Sequence, residues 1–161
     1  MAEPRKNLLL VRNQYPGYAI TDSHLAIKTD ALATCVAVGG VTSESDPKLF
    51  ISHTMDSQHS TQLKNLREMG LSELEGDMFL FARSPRTMRS GLYTVKPDGH
   101  SAMDYGDAID KLADLLATHF KKFRLHTLHY ADTRFPPLSS FAEINIQERM
   151  ARTDSGSISF R

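Results

Sequence analysis

Residues 35–55 constrain the fold more than any other part of the chain. Two stretches rich in Val, Ile and Phe, CVAVGGVT from Cys35 and KLFISHTM from Lys48, are separated only by SESDP, whose Ser, Asp and Pro favour a turn. That arrangement predicts a β-hairpin with Cys35 near the start of one strand and His53 near the end of the other. The only cysteine of the chain and a histidine are thereby brought to the same end of a sheet. Gly39-Gly40 lies inside a strand rather than after one, so it reads as a bulge and not as a phosphate-binding loop.

The rest of the chain alternates strand-like and helix-like segments. NLLLVRN, YAITD and LAIKT are short β-prone runs, with the breaker Tyr15-Pro16-Gly17 after the first. Ser60 is placed to cap a helix through Leu63, Leu66 and Met69 that Gly70 terminates, and a second short helix begins at Ser72. DMFLFAR from Asp77 and GLYTVK from Gly91 are strand candidates on either side of the SPRT loop. Ser101 with Asp104 resembles a capping arrangement before the longest helix, whose apolar stripe is Ile109, Leu112, Leu116, Phe120 and Phe123. RLHTLHYAD, the loop TRFPPLSS, FAEINIQER and SGSISF follow, the last two facing each other as a hairpin across ARTDSG. The expected class is α+β, with mixed, mostly antiparallel β-sheets in a sandwich-like core and flanking helices.

At 161 residues the chain suits one domain, 1–161, with residues 1–6 a flexible start. Nineteen Lys plus Arg balance nineteen Asp plus Glu without a block of like charges, which argues against nucleic acid and against a polybasic membrane surface. The run Leu8 to Val11 after MAEPRK is too short for a signal-peptide core or a membrane span. With a single cysteine, a soluble protein of a reducing compartment is expected, either cytoplasmic or secreted without a cleavable signal.

A lone cysteine packs well as a small hydrophobe, and that is its bland reading. The other reading is a nucleophile. Cys35 sits where a loop enters a strand, so free backbone N–H groups could bind an oxyanion there. His53 comes from the returning strand, and Thr29 is close enough upstream to hold the imidazole in the useful tautomer. A thiol, a base and an orienting residue suit acyl transfer at an amide: the thiolate attacks the carbonyl and the imidazolium protonates the departing nitrogen. Spacing alone does not separate a protease or transferase from a deamidase, since all pass through a thioester.

Thr29, then LATCVAV from Leu32 to Val38, then HTM from His53 to Met55, resemble the signature of the CheD chemoreceptor glutamine deamidases. In that family a Thr precedes L-G-S-C-V-A-V, and a His opens an H-F-M-L-P-like run about one hairpin later. A similar Thr–Cys–His constellation occurs in bacterial toxin deamidases such as cytotoxic necrotizing factor and Burkholderia lethal factor. The element order, from YAITD to the closing SISF, is also similar to CheD. Ala33 and Thr34 stand where the family has Gly-Ser, DSQ where it has Leu-Pro, and its later Gly-Arg elements have no counterpart near TRFPPLSS.

The resemblance implies a cysteine-dependent protein-glutamine deamidase in which Cys35 is the nucleophile, His53 the base and Thr29 the orienting residue. It would convert a glutamine of a target protein to glutamate and release ammonia, as a monomer, with no cofactor and no metal. The target would be a chemoreceptor in the bacterial cytosol or a host protein. A catalytically inactive relative that binds the same kind of partner, and a small cysteine protease or transferase, are the alternatives.

Other residues carry less. His119, His126 and His129 are too few and too badly spaced for a metal, and in a strand His126 and His129 point to opposite faces. Asp132 and Glu143 read as solvated surface, and Met55, Met69, Met78, Met88, Met103 and Met150 as core fillers.

Overall fold

The structure is a computed structural model and describes residues 4–12, 16–32, 35–83, 102–130 and 140–160. In chain order the elements are β1 (Leu9–Leu10), β2 (Tyr18–Thr21), β3 (Ala26–Thr29), β4 (Val36–Thr42), β5 (Leu49–Thr54), α1 (His59–Glu68), a 3-10 turn (Leu71–Glu73), β6 (Gly76–Arg83), α2 (Ala102–His119), β7 (Phe123–Tyr130), β8 (Ala142–Asn145), β9 (Met150–Thr153) and β10 (Ser157–Ser159). They build two five-stranded sheets, ordered β1-β3-β8-β9-β10 and β2-β5-β4-β6-β7. Only β1–β3 and β6–β7 pair in parallel, so the class is the expected α+β with mixed, mostly antiparallel sheets. The parallel β6–β7 pair spans a long connection containing α2, as parallel neighbours require.

The second sheet lies in the middle. Val36 and Val38 of β4, with Met78 and Leu80 of β6, pack under Leu63 and Leu66 of α1 and Leu112 and Leu116 of α2. Ala37, Ile51, Phe79 and Phe81 on the opposite face pack against Ile27, Ala142 and Ile144 of the first sheet. Because both faces are covered, every residue of β4, β5 and β6 is buried. This is why these strands read as nearly continuous apolar runs instead of alternating ones.

The hairpin of residues 35–55 forms, with Ala37 opposite His53 and Val41 opposite Leu49. Gly39-Gly40 is not a bulge: both residues stay in register with β5 and with β6. They are glycines because of space. A Cβ on Gly40 would sit 2.2 Å from the Asp77 carbonyl oxygen, and one on Gly39 would sit 2.8 Å from Ile144 Cδ1.

Several boundaries differ from expectation. The cap of α1 is Gln58, which makes no side-chain capping bond, while Ser60 lies inside the helix. Gly70 ends that helix with φ 77°, and the next turn is 3-10 rather than α. Phe123 opens β7 instead of closing the stripe of α2, its N–H donating to Phe120 O across the tight connection. ARTDSG contributes a strand of its own: β9 pairs with both β8 and β10, which do not pair with each other. Arg149, at φ 53°, precedes it in the turn. Residues 5 and 6 are held, since Arg5 bonds His24 O, Asp46 and Pro47 O, and Lys6 bridges His24. GLYTVK, SPRT, Ser101 and most of TRFPPLSS lie outside the described residues. Among the described residues no helix is long and apolar enough to cross a membrane.

Candidate active site

Thr29, Cys35 and His53 come from three segments that meet at one end of the sandwich. Thr29 is the last residue of β3, in the first sheet, and is fully buried. His53 is the penultimate residue of β5, in the second sheet, and is 3% exposed. Between them Thr29 Oγ1 and His53 Nδ1 lie 2.8 Å apart in a buried hydrogen bond that joins one sheet to the other. The two residues are far apart along the chain, and only the stacking of sheets brings them into reach.

Cys35 is half-buried and immediately precedes β4. It lies two residues before Ala37, which is opposite His53, so by strand alternation Cys35 and His53 share the face turned toward the first sheet. They are diagonal neighbours on the β4–β5 pair, a relation that separates backbones by about 7–8 Å and leaves long side chains in reach. Cys35 packs with the same apolar cluster as Ala37 and Ile51. Its carbonyl accepts a 2.5 Å hydrogen bond from the Tyr130 hydroxyl.

The loop from β3 to β4 carries the chain across from the first sheet to the second. Leu32 anchors it, fully buried, with its N–H donating to Ser140 O. Ala31 has φ 55°, a left-handed conformation that costs an alanine about 1–2 kcal/mol. Strain of this kind persists where surrounding contacts hold it, and here it lies four residues before the candidate nucleophile. Ala33 and Thr34, and with them the backbone donors expected for an oxyanion, lie outside the described residues.

Burial pushes the His53 imidazole down from the usual 6.5 to about 4, against the opposing pull of the Asp30 carboxylate. At neutral pH the ring is therefore neutral, the form a general base requires. In the tautomer that leaves Nε2 unprotonated, Nδ1–H donates to Thr29 Oγ1. His53 Nε2 is buried and makes no hydrogen bond with any described group. In unliganded sites the contacts of a catalytic base are often long and tighten when substrate binds. The backbone of His53 is held as well, its N–H donating to Gly17 O at 2.9 Å. Gly17 also lines a cavity of about 260 Å³ with Leu9, Leu10, Tyr18 and Ala19.

Other candidates are placed elsewhere. His119 bonds Arg67, His126 pairs with the buried Asp77 at 3.0 Å, and His129 is exposed. Glu143, read from sequence as solvated, is buried and pairs with Arg152 across the β8–β9 ladder. Met69 and Met78 are core residues, but Met55, expected to be one, is 52% exposed just past β5. Asp132 lies outside the described residues. The sequence had not singled out Asp30 or Tyr130. Asp30 adjoins Thr29 and had a local signal in its carboxylate, whereas Tyr130 is 95 residues from Cys35 and had none. The chain matches no protein-family model, and a search of curated proteins finds no similar chain.

Proposed function

We propose that this protein is a cysteine-dependent protein-glutamine deamidase with Cys35 as nucleophile, His53 as general base and acid, and Thr29 as the positioning residue. One observation carries the reading: a buried imidazole has one nitrogen bonded to Thr29 and the other without a partner among the described residues, on the face and at the end of the sheet where Cys35 lies.

In this reading Nε2 takes the thiol proton and the sulfur attacks the carboxamide carbon of a glutamine side chain. The imidazolium returns that proton to the departing nitrogen, ammonia leaves, and a thioester remains. Nε2 then takes a proton from water, the resulting hydroxide attacks the thioester, and glutamate is released as the thiol is restored. Throughout, Thr29 holds Nδ1–H and so prevents the ring from flipping to the useless tautomer.

The test is Cys35→Ser, which nearly keeps the volume and removes the nucleophile. Incubated with a bacterial or host protein lysate, the native chain should release ammonia and raise the mass of a target glutamine by about one unit, and the variant should do neither. Ammonia release that survives in Cys35→Ser defeats the reading. Cleaved or conjugated targets without deamidation point to a protease or transferase instead.

A further inference from the structure

Arg83 ends β6 and is 3% exposed, a buried guanidinium at the same end of the sandwich. The β4–β6 ladder pairs Ala37 with Phe81, antiparallel. Carried two residues further, that register sets Arg83 level with Cys35 on the adjacent strand. Strand alternation turns Arg83 to the face of Phe79 and Phe81, which is the face of Ala37 and Cys35.

A second contact fixes the same neighbourhood independently. Tyr130 lies opposite Arg83 on β7, and its hydroxyl donates to Cys35 O at 2.5 Å. To do so the side chain reaches from β7 past β6 to the start of β4, a span of two strand spacings of about 4.8 Å each. The crossing happens at the level of Arg83, so the phenol and the arginine start from the same row of the sheet as Cys35.

We propose that Arg83 is a further member of this site, the fixed cation that stabilises the Cys35 thiolate as the thiol gives up its proton. The proposal rests on the reading of Cys35 as nucleophile. The S–H bond breaks, the sulfur keeps the electron pair, and the proton moves to His53 Nε2.

The chemistry calls for such a group. A free thiol titrates near 8.5, and burial holds the His53 imidazole at about 4. Transfer between the two is therefore strongly uphill unless a charge favours the products. A guanidinium stays protonated even when buried, and beside the sulfur it lowers the thiol's pKa. The thiolate then raises that of the imidazole, closing the gap from both sides. The titratable groups that register and contacts place on this face at this end, among the described residues, are His53 on β5, Arg83 on β6, Tyr130 on β7 and Asp30 just after β3. Arg83 is the one permanent cation in that set. Asp77, the buried acid of β6, sits at the far end of the strand with Arg124 and His126.

The experiment reads the thiol and not the turnover. Alkylation of Cys35 by iodoacetamide is followed by mass across pH in the native chain, Arg83→Met, Arg83→Lys and Tyr130→Phe. The native profile should have its midpoint below 8.5. Arg83→Met should move it up by a unit or more, making alkylation about tenfold slower at pH 7. Arg83→Lys should recover most of the shift, and Tyr130→Phe, which perturbs packing but not charge, should leave it near native. An Arg83→Met profile that overlays the native one overturns the proposal.

If Arg83→Met fails to fold, titrating the thiolate absorbance of the native chain against Cys35→Ser decides the matter. A native midpoint at or above that of a free thiol overturns the proposal, and a depressed midpoint that Arg83→Lys retains supports it. A depressed, Arg83-dependent midpoint in a chain that never releases ammonia would keep the Arg83 assignment and remove only the deamidase.

Discussion

His53 is held in one orientation from two sides. Its backbone N–H is bound by Gly17 and its Nδ1 by Thr29, while the ring sits in a cluster apolar enough to favour the neutral form. Replacing Thr29 with Val keeps the shape but strands a buried N–H donor, which should lower stability by about 1–3 kcal/mol. Without that acceptor the ring loses its preferred tautomer. Under the proposed mechanism turnover should fall by about 10²-fold, the lower end of what a positioned base contributes, and Thr29→Ser should retain most of it. Thermal melts and steady-state ammonia release separate the two effects. Native turnover in Thr29→Val would remove Thr29 from the site. Thr29, Cys35 and His53 could be nominated from sequence because hairpin register and chemical type are local properties. Arg83 and Tyr130 could not, because their level beside Cys35 depends on the order in which β6 and β7 follow β4 across the sheet.

At the scale of elements, β4 is the member on which the site depends, since it pairs with β5 on one side and β6 on the other. Its two glycines let those neighbours and the layers above and below come close. Gly40→Ala should cost about 3 kcal/mol or more, at the upper end of overpacking, because the new methyl meets backbone at Asp77 O and no side chain can turn aside. Gly106→Ala makes the opposite prediction. That position lies within α2 with no described atom near an added Cβ, so alanine should stabilise by roughly 0.5–1 kcal/mol through helix propensity. Urea unfolding of the two variants checks both, and a Gly40→Ala chain as stable as the native one would show that close approach is not why glycine is there. The β8–β9–β10 meander illustrates the limit of reading elements from sequence. ARTDSG carries turn residues, yet Met150–Thr153 forms a strand because two neighbours supply its hydrogen bonds.

At the scale of the whole molecule, the two sheets are joined at one end by the Thr29–His53 hydrogen bond, so protonating His53 acts on the fold as a whole. The folded imidazole titrates at about 4 and a free one at 6.5. Between those values the unfolded chain binds a proton that the folded chain refuses. This contribution is therefore complete above pH 6.5 and is lost as pH falls toward 4, about 3 kcal/mol in all at 1.36 kcal/mol per unit. Unfolding free energies measured by urea at pH 7 and pH 4.5 should differ by most of that amount more in the native chain than in His53→Gln. Equal differences in the two proteins would mean that His53 does not carry the acid sensitivity. The sequence by itself determined the described strands other than β9, the central hairpin, the α+β class and the three residue types suited to amide chemistry, because periodicity, turn composition and hairpin register act over short stretches of chain. Only the tertiary structure decided that β3 lies in a different sheet from β5, that Thr29 therefore faces His53, and that a buried arginine ends level with the cysteine. Those relations come from which sheets stack and which strands adjoin, and are set by burial of side chains distant in the chain.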